Sequence, residues 1–412
     1  MKIKKRELIS KIIVVILFCA FFNDILRIPD TAISAYRLLI PCAAFMALVY
    51  IRYTWKFFLG GIALMVPLII QNLIFCKVLK IESSIDFNWQ LRYLIHYGCI
   101  FAIFVLMRIL RKESIDQFSR LFFKLIPVVS ILNILIYIIS LTPYYSGSGL
   151  ANLNNYAVCL AAIFPWHLLE AFGGKLKDAV ICITILIILW KGDSKAALAG
   201  IAIEIGIIGI IQVVKKIKEG NKTILFFSII VIAAGICICL SPLKINGYGI
   251  REMFTGMLSH IVRGEPYERN TSSLTFRTNS IIYMLKGMKD TYFIGMGIGN
   301  TGKYLRVVIT DYVSNKALSA VTLSPHWAVL EFFCDCGIWA MVLCVYVYVI
   351  AIKKLFQAKN IKKLDAYFVA FTLSLPMWSM SASGLYTTYL VFVIIAWLYE
   401  RHLLDKEDNF WG

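Results

Sequence analysis

The sequence predicts an all-α protein that crosses a membrane many times, and its composition, apolar runs and charge placement all support this class. Of the 412 residues, 60% are hydrophobic, 14% are aromatic and only 16% are charged, which is far from the usual composition of soluble domains. Apolar runs of about 17 to 25 residues can cross a bilayer core of about 30 Å as helices, because helices satisfy their own backbone groups in lipid.

About twelve apolar runs qualify as transmembrane helices. They cover residues 8–27, 32–51, 57–76, 89–109, 118–140, 153–170, 178–190, 195–214, 223–240, 327–352, 364–380 and 385–400. The seventh run is short, and Pro376 interrupts the eleventh. The chain therefore divides into nine spans over residues 1–240, a large polar outer segment over 241–325, and three spans with a cytoplasmic tail over 326–412.

Basic residues orient this bundle, because Lys and Arg near short loops are retained on the cytoplasmic side. With the N-terminus inside, the predicted inner segments hold Lys2, Lys4, Lys5, Arg6, Arg52, Lys56, Arg108, Arg111, Lys112, Lys175, Lys177, Lys215, Lys216, Lys218, Lys222, Lys353, Lys354, Lys359, Lys362 and Lys363. Both termini are then cytoplasmic, and the 241–325 segment lies outside. The net charge of +18 is mainly this orientation signal, so it does not indicate nucleic-acid binding.

Cysteine usage indicates packing more than chemistry. Most of the eleven cysteines lie in apolar runs, where a free thiol behaves as a small hydrophobe. Cys334 and Cys336 flank Asp335, but a lone C-x-C without partner ligands is a poor metal signature. We therefore predict that these two cysteines pack in a core.

The outer segment predicts two helices. Residues 250–262 place apolar side chains at helical spacing, which favours an amphipathic helix that can lie in the membrane interface. After a polar break, Ser272 or Ser273 can cap a second helix that runs to about Lys289.

Arg277 lies on the apolar stripe of this second helix, together with Leu274, Ile281, Met284 and Met288. An unpaired buried charge costs several kcal/mol, so the guanidinium needs an anionic partner. One interpretation is structural: an ion pair with a carboxylate such as Glu204, or a side chain that reaches back to the polar layer. The other is a planar fork held ready for a phosphate or pyrophosphate.

The residues after this helix carry a resemblance to a known family. Residues 289–300, KDTYFIGMGIGN, are followed by His326, Glu331 and Gly337, and this order resembles the signature of the O-antigen polymerase and O-antigen ligase superfamily. The resemblance places the loop arginine of that family at Arg277, its histidine at His326 and its later glycine at Gly337.

Two upstream segments extend the resemblance. Residues 149–155 resemble a G-x-x-x-N-P-N segment, and Ser194 with Lys195 resembles a Ser-Arg pair at the outer start of a span. The chain departs from the family pattern at Leu153, Lys195, Tyr292 and Trp327. A lysine at position 195 keeps the positive charge but loses the bidentate fork of arginine.

The resemblance implies a polysaccharide polymerase with a fold of the GT-C_B type in the bacterial cytoplasmic membrane. Such an enzyme moves a growing glycan from an undecaprenyl-diphosphate donor to a lipid-linked repeat unit, extending an O-antigen, capsule or exopolysaccharide chain at the outer face. The implied partners are this lipid-linked oligosaccharide, membrane lipid, and a chain-length regulator and flippase of the same pathway. The outer segment holds no acidic pair typical of a metal site, so we expect a reaction without metal or other cofactor.

The residues themselves point to the same chemistry. A leaving pyrophosphate needs cations at the outer interface, and Arg277, Lys195, Lys191 and Arg92 are candidates. His326 is the candidate general base, since a neutral imidazole can take the proton of an acceptor hydroxyl near neutral pH. Its alternative role is that of a histidine that begins a helix and hydrogen-bonds the loop.

Other polar residues have two interpretations each. Arg92 and His96 lie one turn apart, hence on one face, and ionisable residues within spans are functional candidates. Glu204 either neutralises an arginine or stays protonated in a structural role. Asn152, Asn154 and Asn155 cap the sixth span or bind sugar hydroxyls, and Glu331 is a further candidate for substrate contact.

The glycine run at Gly295, Gly297 and Gly299 is not a dinucleotide fingerprint, because no strand of a βαβ unit precedes it. It favours a tight, close-packed turn under the substrate.

Two rival functions remain open at the level of sequence. A ligase of the same superfamily shares all the features above and differs in its acceptor. A lipid-linked oligosaccharide flippase or other transporter also fits twelve spans, but it should show internal repeats and short loops. The chain has no obvious repeat, and its longest loop is long and cationic.

Overall fold

The computed structural model describes residues 11–16, 39–78, 87–140, 153–191, 194–218, 244–245, 248–268, 273–309, 325, 327–357, 361–381 and 389–411. Nearly all of these residues are α-helical, in agreement with the predicted all-α class. Residues 11–16, inside the predicted first span, are helical, and the predicted ninth span at 223–240 lies outside the described residues.

The helices of the described part follow the apolar runs and the outer segment in order. They are α1 (Leu39–Val49), α2 (Ile51–Val78), α3 (Phe87–Ser140), α4 (Leu153–Phe172), α5 (Leu176–Lys191), α6 (Lys195–Lys218), α7 (Ile250–Arg263), α8 (Ser273–Asp290), α9 (Asn300–Val308), α10 (Ala328–Cys336), α11 (Ile338–Phe356), α12 (Lys363–Trp378) and α13 (Tyr389–Trp411). Two-residue strands, β1 (Lys244–Ile245) and β2 (Tyr248–Gly249), pair antiparallel immediately before α7. A 3₁₀ turn at Ser379–Ser381 ends α12.

Helix α3 covers the predicted fourth and fifth spans and the charged stretch between them. Its 54 residues are helical throughout, so the charged stretch 110–117 is not a loop. The reason is local: Arg, Lys, Glu and Gln in this stretch are good helix formers, and their charge alone does not break a helix.

Helix α3 is nevertheless bent, as its contacts with α13 show. Along α3, the contacts first move toward the end of α13 and then move back toward its start. His96 lies 2.7 Å from the hydroxyl of Tyr389, and Arg111 bonds Glu400 further along α13 at 3.1 Å. Trp397, nearer the start of α13, then donates to Ser119 at 2.9 Å. A straight helix would separate His96 from Ser119 by about 35 Å, whereas Tyr389 and Trp397 are only about 12 Å apart along α13.

The main core lies between α3, α4, α6, α12 and α13. Its largest fully buried side chains include Trp378, Trp397, Tyr367 and Phe371. Helices α6 and α12 approach closely at Gly200, where a Cβ would lie 2.7 Å from the Cβ of Trp378. Small residues at helix contacts are typical of membrane bundles, in which close backbone packing replaces the hydrophobic effect.

Two helices of the described part are long and apolar enough to cross a membrane. They are Lys195–Lys215 within α6 and Ile338–Phe356, which is α11. Most side chains of α11 point away from the protein, among them Val342 and Val345, which are about 60% exposed. Gly337 divides the predicted tenth span at 327–352, because the short helix α10 ends there and α11 begins.

Candidate functional site

A second hydrophobic cluster joins the outer segment to the ends of two bundle helices. We call it the outer cluster; its buried members are Phe276, Ile281, Met284, Met288, Met296, Tyr304, Leu305, Ile309, Leu330, Cys334 and Met380. Ala196 of α6 and Met377 of α12 pack against it, as do Met257 and Ile261 of α7. Helices α8, α9 and α10 therefore form one packed unit, the outer unit, on the start of α6 and the end of α12.

The outer cluster gathers the sequence neighbours of three predicted site residues. Ala196 follows Lys195, Phe276 precedes Arg277, and Trp327 follows His326, and all three neighbours belong to the cluster or pack against it. His326 itself lies outside the described residues. Three distant parts of the sequence are thus anchored on one unit.

Helix α8 confirms the predicted second helix of the outer segment. Ile281, Met284 and Met288 on its apolar stripe are buried, so this face packs on protein. Arg277 is half-buried on the same helix, and its Nε atom is shielded from solvent.

Glu204 is not the partner of Arg277, so the interpretation that offered an ion pair between them is wrong. The carboxylate of Glu204 accepts a hydrogen bond from the Ser374 hydroxyl at 2.7 Å. The Ser374 oxygen in turn accepts from Trp378 Nε1 at 3.0 Å. Glu204 therefore belongs to the contact between α6 and α12, in the structural role that was the other interpretation.

A side-chain amide fixes the approach of α7 to α8. Asn279 on α8 donates to the Tyr267 carbonyl at 2.9 Å and accepts from the Tyr267 N–H at 2.7 Å. The Tyr267 ring stacks on His260 of α7, with 3.8 Å between ring centroids. These contacts hold Tyr267, in the segment that follows α7, beside the half of α8 that carries Arg277.

The glycine run after α8 forms the predicted tight turn. Gly295, Gly297 and Gly299 all have positive φ, as do Tyr292 and Phe293 before them. Non-glycine residues in this region cost about 1–2 kcal/mol each, so the turn is held by its surroundings.

Part of that support comes from helix α2. Gln71 on α2 donates its amide hydrogens to the carbonyls of Ile294 and Gly295, at 2.6 and 2.8 Å. A residue of the predicted third span thus reaches the turn that follows α8.

Asp335 organises the other side of the turn. Its buried carboxylate, 0% exposed, accepts from the Gly299 N–H at 3.0 Å, the Thr301 N–H at 3.3 Å and the Thr301 hydroxyl at 2.5 Å. It therefore occupies the N-terminus of α9, where a negative charge is favourable. Sequence reasoning weighed the flanking cysteines and missed Asp335; an acidic residue inside an apolar run was the available signal.

The junction of α10 and α11 is bonded directly to the glycine turn. The N–H groups of Met296 and Gly297 donate to the carbonyls of Cys334 and Asp335, at 2.6 and 3.0 Å. Gly337 adopts φ 60° and ψ −140°, and a Cβ there would overlap the carbonyl oxygen of Ile294. Only glycine fits this position, which gives a physical reason for the glycine that forms part of the resemblance described above.

Lys303 on α9 is a further cation of the outer unit, and sequence reasoning missed it. The residue is only 8% exposed, and its ammonium has no hydrogen-bond or ion-pair acceptor within the described residues. Beside it, burial raises the pKa of Tyr304 to about 12, so this phenol stays protonated at physiological pH. An ammonium without an acceptor, carried on a mostly buried side chain, favours binding of an anion.

The remaining predicted site residues lie in several places. Lys195 is half-buried at the first residue of α6, and Glu331 is buried on α10, one turn before Asp335. His96 contacts Tyr389 in the main core. Arg92, Lys191 and Asn154 lie on described helices, but their side chains and all of Asn152 lie outside the described residues.

The cysteines follow the packing prediction. Cys334 and Cys336 are buried, free, and members of hydrophobic clusters. The described residues contain no group of three or more His, Cys, Asp or Glu placed to hold a metal ion.

No protein-family model, curated protein or solved structure matches this chain.

Proposed function

We propose that the protein is a membrane glycosyltransferase that polymerises polysaccharide repeat units, as in the O-antigen polymerase and ligase superfamily. It transfers a glycan from an undecaprenyl-diphosphate donor to a sugar hydroxyl on a lipid-linked repeat unit. The observation that carries the proposal is the outer cluster, which anchors the neighbours of Lys195, Arg277 and His326 on one unit at the ends of α6 and α12.

The proposal includes a multi-pass arrangement of about twelve helices, with both termini cytoplasmic and a fold of the GT-C_B type. Helices α6 and α11 support the membrane location by their length and hydropathy. The outward apolar side chains of α11 add to this support, since so large an exposed apolar surface is unfavourable in water.

In the proposed reaction, the acceptor hydroxyl oxygen attacks the anomeric carbon of the donor sugar. The bond from that carbon to the pyrophosphate oxygen breaks, and the hydroxyl proton passes to the imidazole of His326. Negative charge grows on the leaving lipid pyrophosphate. Cations that bind this group more tightly as it departs lower the barrier, which is the role proposed for Arg277 and Lys195.

Lys303 is the third cation in this proposal. Its ammonium is held on α9, whose next residues Tyr304 and Leu305 are part of the outer cluster. Asp335 has a positioning role, because it fixes the start of α9 and therefore the place of Lys303. The predicted contact of Glu331 with substrate stays part of the proposal.

A purified, lipid-reconstituted protein supplied with an undecaprenyl-diphosphate-linked repeat unit tests the function. We expect a ladder of polymer lengths, and we expect Arg277→Lys to abolish most of it, since lysine lacks the bidentate fork. Arg263→Lys is the matched control, because Arg263 is exposed at the end of α7. Polymer of normal length from the Arg277→Lys protein would contradict the proposed pyrophosphate contact and show that Arg277 has a structural role.

The same assay separates the rival functions by their products. A ligase would leave the repeat units unjoined and transfer glycan only when a different acceptor is added. A flippase would form no new glycosidic bond with any acceptor, and either result would refute the polymerase.

A further inference from the structure

A cavity lies at the end of the bundle away from the outer cluster. Its volume is about 570 Å³, and it is lined by Asp116, Ser119, Arg120, Trp166, Lys363, Leu364 and Arg401. Lys363 begins α12, whose opposite end carries Met377 against the outer cluster. Sixteen residues of helix span about 24 Å, so the cavity is remote from the candidate site.

Positive charge predominates in this cavity. Three of the lining residues, Arg120, Lys363 and Arg401, are cations, and Asp116 is the single acid among them. Asp116 is already bonded to Arg401. The lining residues therefore carry a surplus of positive charge.

Lys363 is held in place by two contacts. It bonds Glu170 at 2.5 Å, and its ammonium lies 4.5 Å from the centre of the Trp166 ring. Glu170 also bonds Lys175 at 2.8 Å, so this carboxylate is shared between two lysines. The net charge around the cavity is still positive when the carboxylate of Glu170 is included.

Arg120 differs from the other two cations. It is exposed on α3 and makes no hydrogen bond or ion pair within the described part of the chain. A guanidinium is a planar fork of donors that matches two oxygens of a phosphate. Trp166 and Leu364 supply an apolar wall beside it, which suits the carbon part of an amphipathic ligand.

We propose that this cavity binds a phosphate group, with Arg120 as the main contact and Lys363 as the second cation. The ligand class is a phosphodiester head group of an anionic lipid or a soluble phosphate. Basic cavities between helices on the cytoplasmic side of a membrane attract anionic head groups. The proposed orientation places the cavity on that side, whereas the proposed glycosyl transfer takes place at the other end of α12.

Binding is measured on the full-length protein by ligand-dependent thermal stabilisation and by isothermal titration in a neutral detergent. One arm uses a water-soluble short-chain phosphatidylglycerol, with the matching phosphatidylcholine as its zwitterionic control; the other arm uses inorganic phosphate. We expect phosphatidylglycerol or phosphate to stabilise the protein, and we expect this effect to weaken as salt rises. Stabilisation by the lipid alone identifies a head group, and stabilisation by inorganic phosphate identifies a soluble ligand.

Variants locate the site. Arg120→Gln removes a side chain that bonds nothing else in the described structure, so the protein should fold normally and bind about tenfold more weakly. Lys363→Gln should also weaken binding, with some loss of stability from the Glu170 and Trp166 contacts. Lys124→Gln, one turn along the same helix, and Arg52→Gln on α2 are matched controls that do not line the cavity.

Equal stabilisation by phosphatidylglycerol and phosphatidylcholine, with no effect of inorganic phosphate, would overturn the proposal. Unchanged binding in Arg120→Gln would do the same, because the anion would then bind elsewhere. Neither result bears on polymerisation, which is assayed separately with the repeat unit.

Discussion

The carboxylate of Asp335 bonds both the backbone N–H and the hydroxyl of Thr301, at 3.3 and 2.5 Å, across 34 residues of sequence. This contact ties the end of α10 to the start of α9. It is a cap supplied by a distant part of the chain, since α9 has no side-chain cap of its own at Gly299.

Replacing Asp335 should destabilise the outer unit. Asp335→Ala leaves the Gly299 N–H and both Thr301 donors buried without an acceptor, at a cost of about 3 kcal/mol or more. Asp335→Asn keeps one acceptor oxygen and should cost about half as much. Thermal unfolding in detergent measures the difference, with the exposed Asp290→Ala as control. Equal stability of Asp335→Ala and the wild type would contradict the capping role.

Gly337→Ala should be among the most damaging small substitutions. The new methyl group would overlap the Ile294 carbonyl, and alanine is disfavoured at φ 60°, so we expect a loss of about 3 kcal/mol or more. Gly206→Ala on α6 is the matched control, since its methyl group would have no neighbour within 4 Å and helix propensity favours alanine. The yield of folded protein on size-exclusion chromatography reports both effects, and a well-folded Gly337→Ala protein would refute the described junction.

Replacing Lys303 should have opposite effects on stability and on activity. In Lys303→Met an ammonium without an acceptor in the described structure becomes apolar, so the unfolding temperature should stay equal or rise. Loss of a pyrophosphate contact should weaken use of the donor by about tenfold in kcat/KM. Lys286→Met, at an exposed position on α8, should change neither quantity. A lower unfolding temperature in Lys303→Met would instead reveal a structural role.

His326 should be needed for the chemical step. His326→Ala should lower turnover at saturating donor by at least about a hundredfold, and His326→Gln should be nearly as poor, because an amide cannot accept the proton. The base is the neutral imidazole, so the rate should fall on acidification as the imidazole becomes protonated. Tyr304 does not contribute to this profile, since its pKa is about 12. Substantial turnover of His326→Gln, or a flat rate from about pH 5 to 8, would assign the proton to another group such as Glu331.

The charge asymmetry predicts which residues are reached from outside intact cells. A cysteine introduced at Ser314 should react with a membrane-impermeant thiol reagent, and one at Gln357 should not. Gln357 is exposed at the end of α11, so protection there would result from the membrane and not from burial. Labelling at Gln357 would reverse the proposed orientation, and with it the side on which the candidate site lies.

Local patterns in the sequence predicted the outer helices well. The spacing of apolar residues placed α7 and α8 within one residue of their observed ends, and the glycines at 295, 297 and 299 predicted a tight turn. The helices and the turn both depend on interactions within a few residues, and such interactions can be predicted from a single sequence.

Contacts between distant residues were the part that sequence reasoning did not find. The bond from Asp335 to Gly299 spans 36 residues, and that from Gln71 to Gly295 spans 224, so no local pattern marks either. The continuity of α3 does not follow from the apolar runs for a different reason, because the helix propensity of the charged residues between two runs continues the helix. One interpretation of the sequence paired Glu204 with an arginine. Its observed partner is instead the hydroxyl of Ser374, which is 170 residues away in sequence and next to it in space.

The bonding of the glycine turn to the end of α10 has a consequence for synthesis. The N–H groups of Met296, Gly297 and Gly299 leave the ribosome before Cys334 and Asp335, the residues that accept their hydrogen bonds. At about 5–20 residues per second, the interval of 36 residues between Gly299 and Asp335 lasts about 2–7 s. During that time α9 lacks its cap, and water or a chaperone must satisfy the turn. The outer unit is therefore completed only when the end of α10 emerges, which makes the arrival of that helix the event that closes the candidate site.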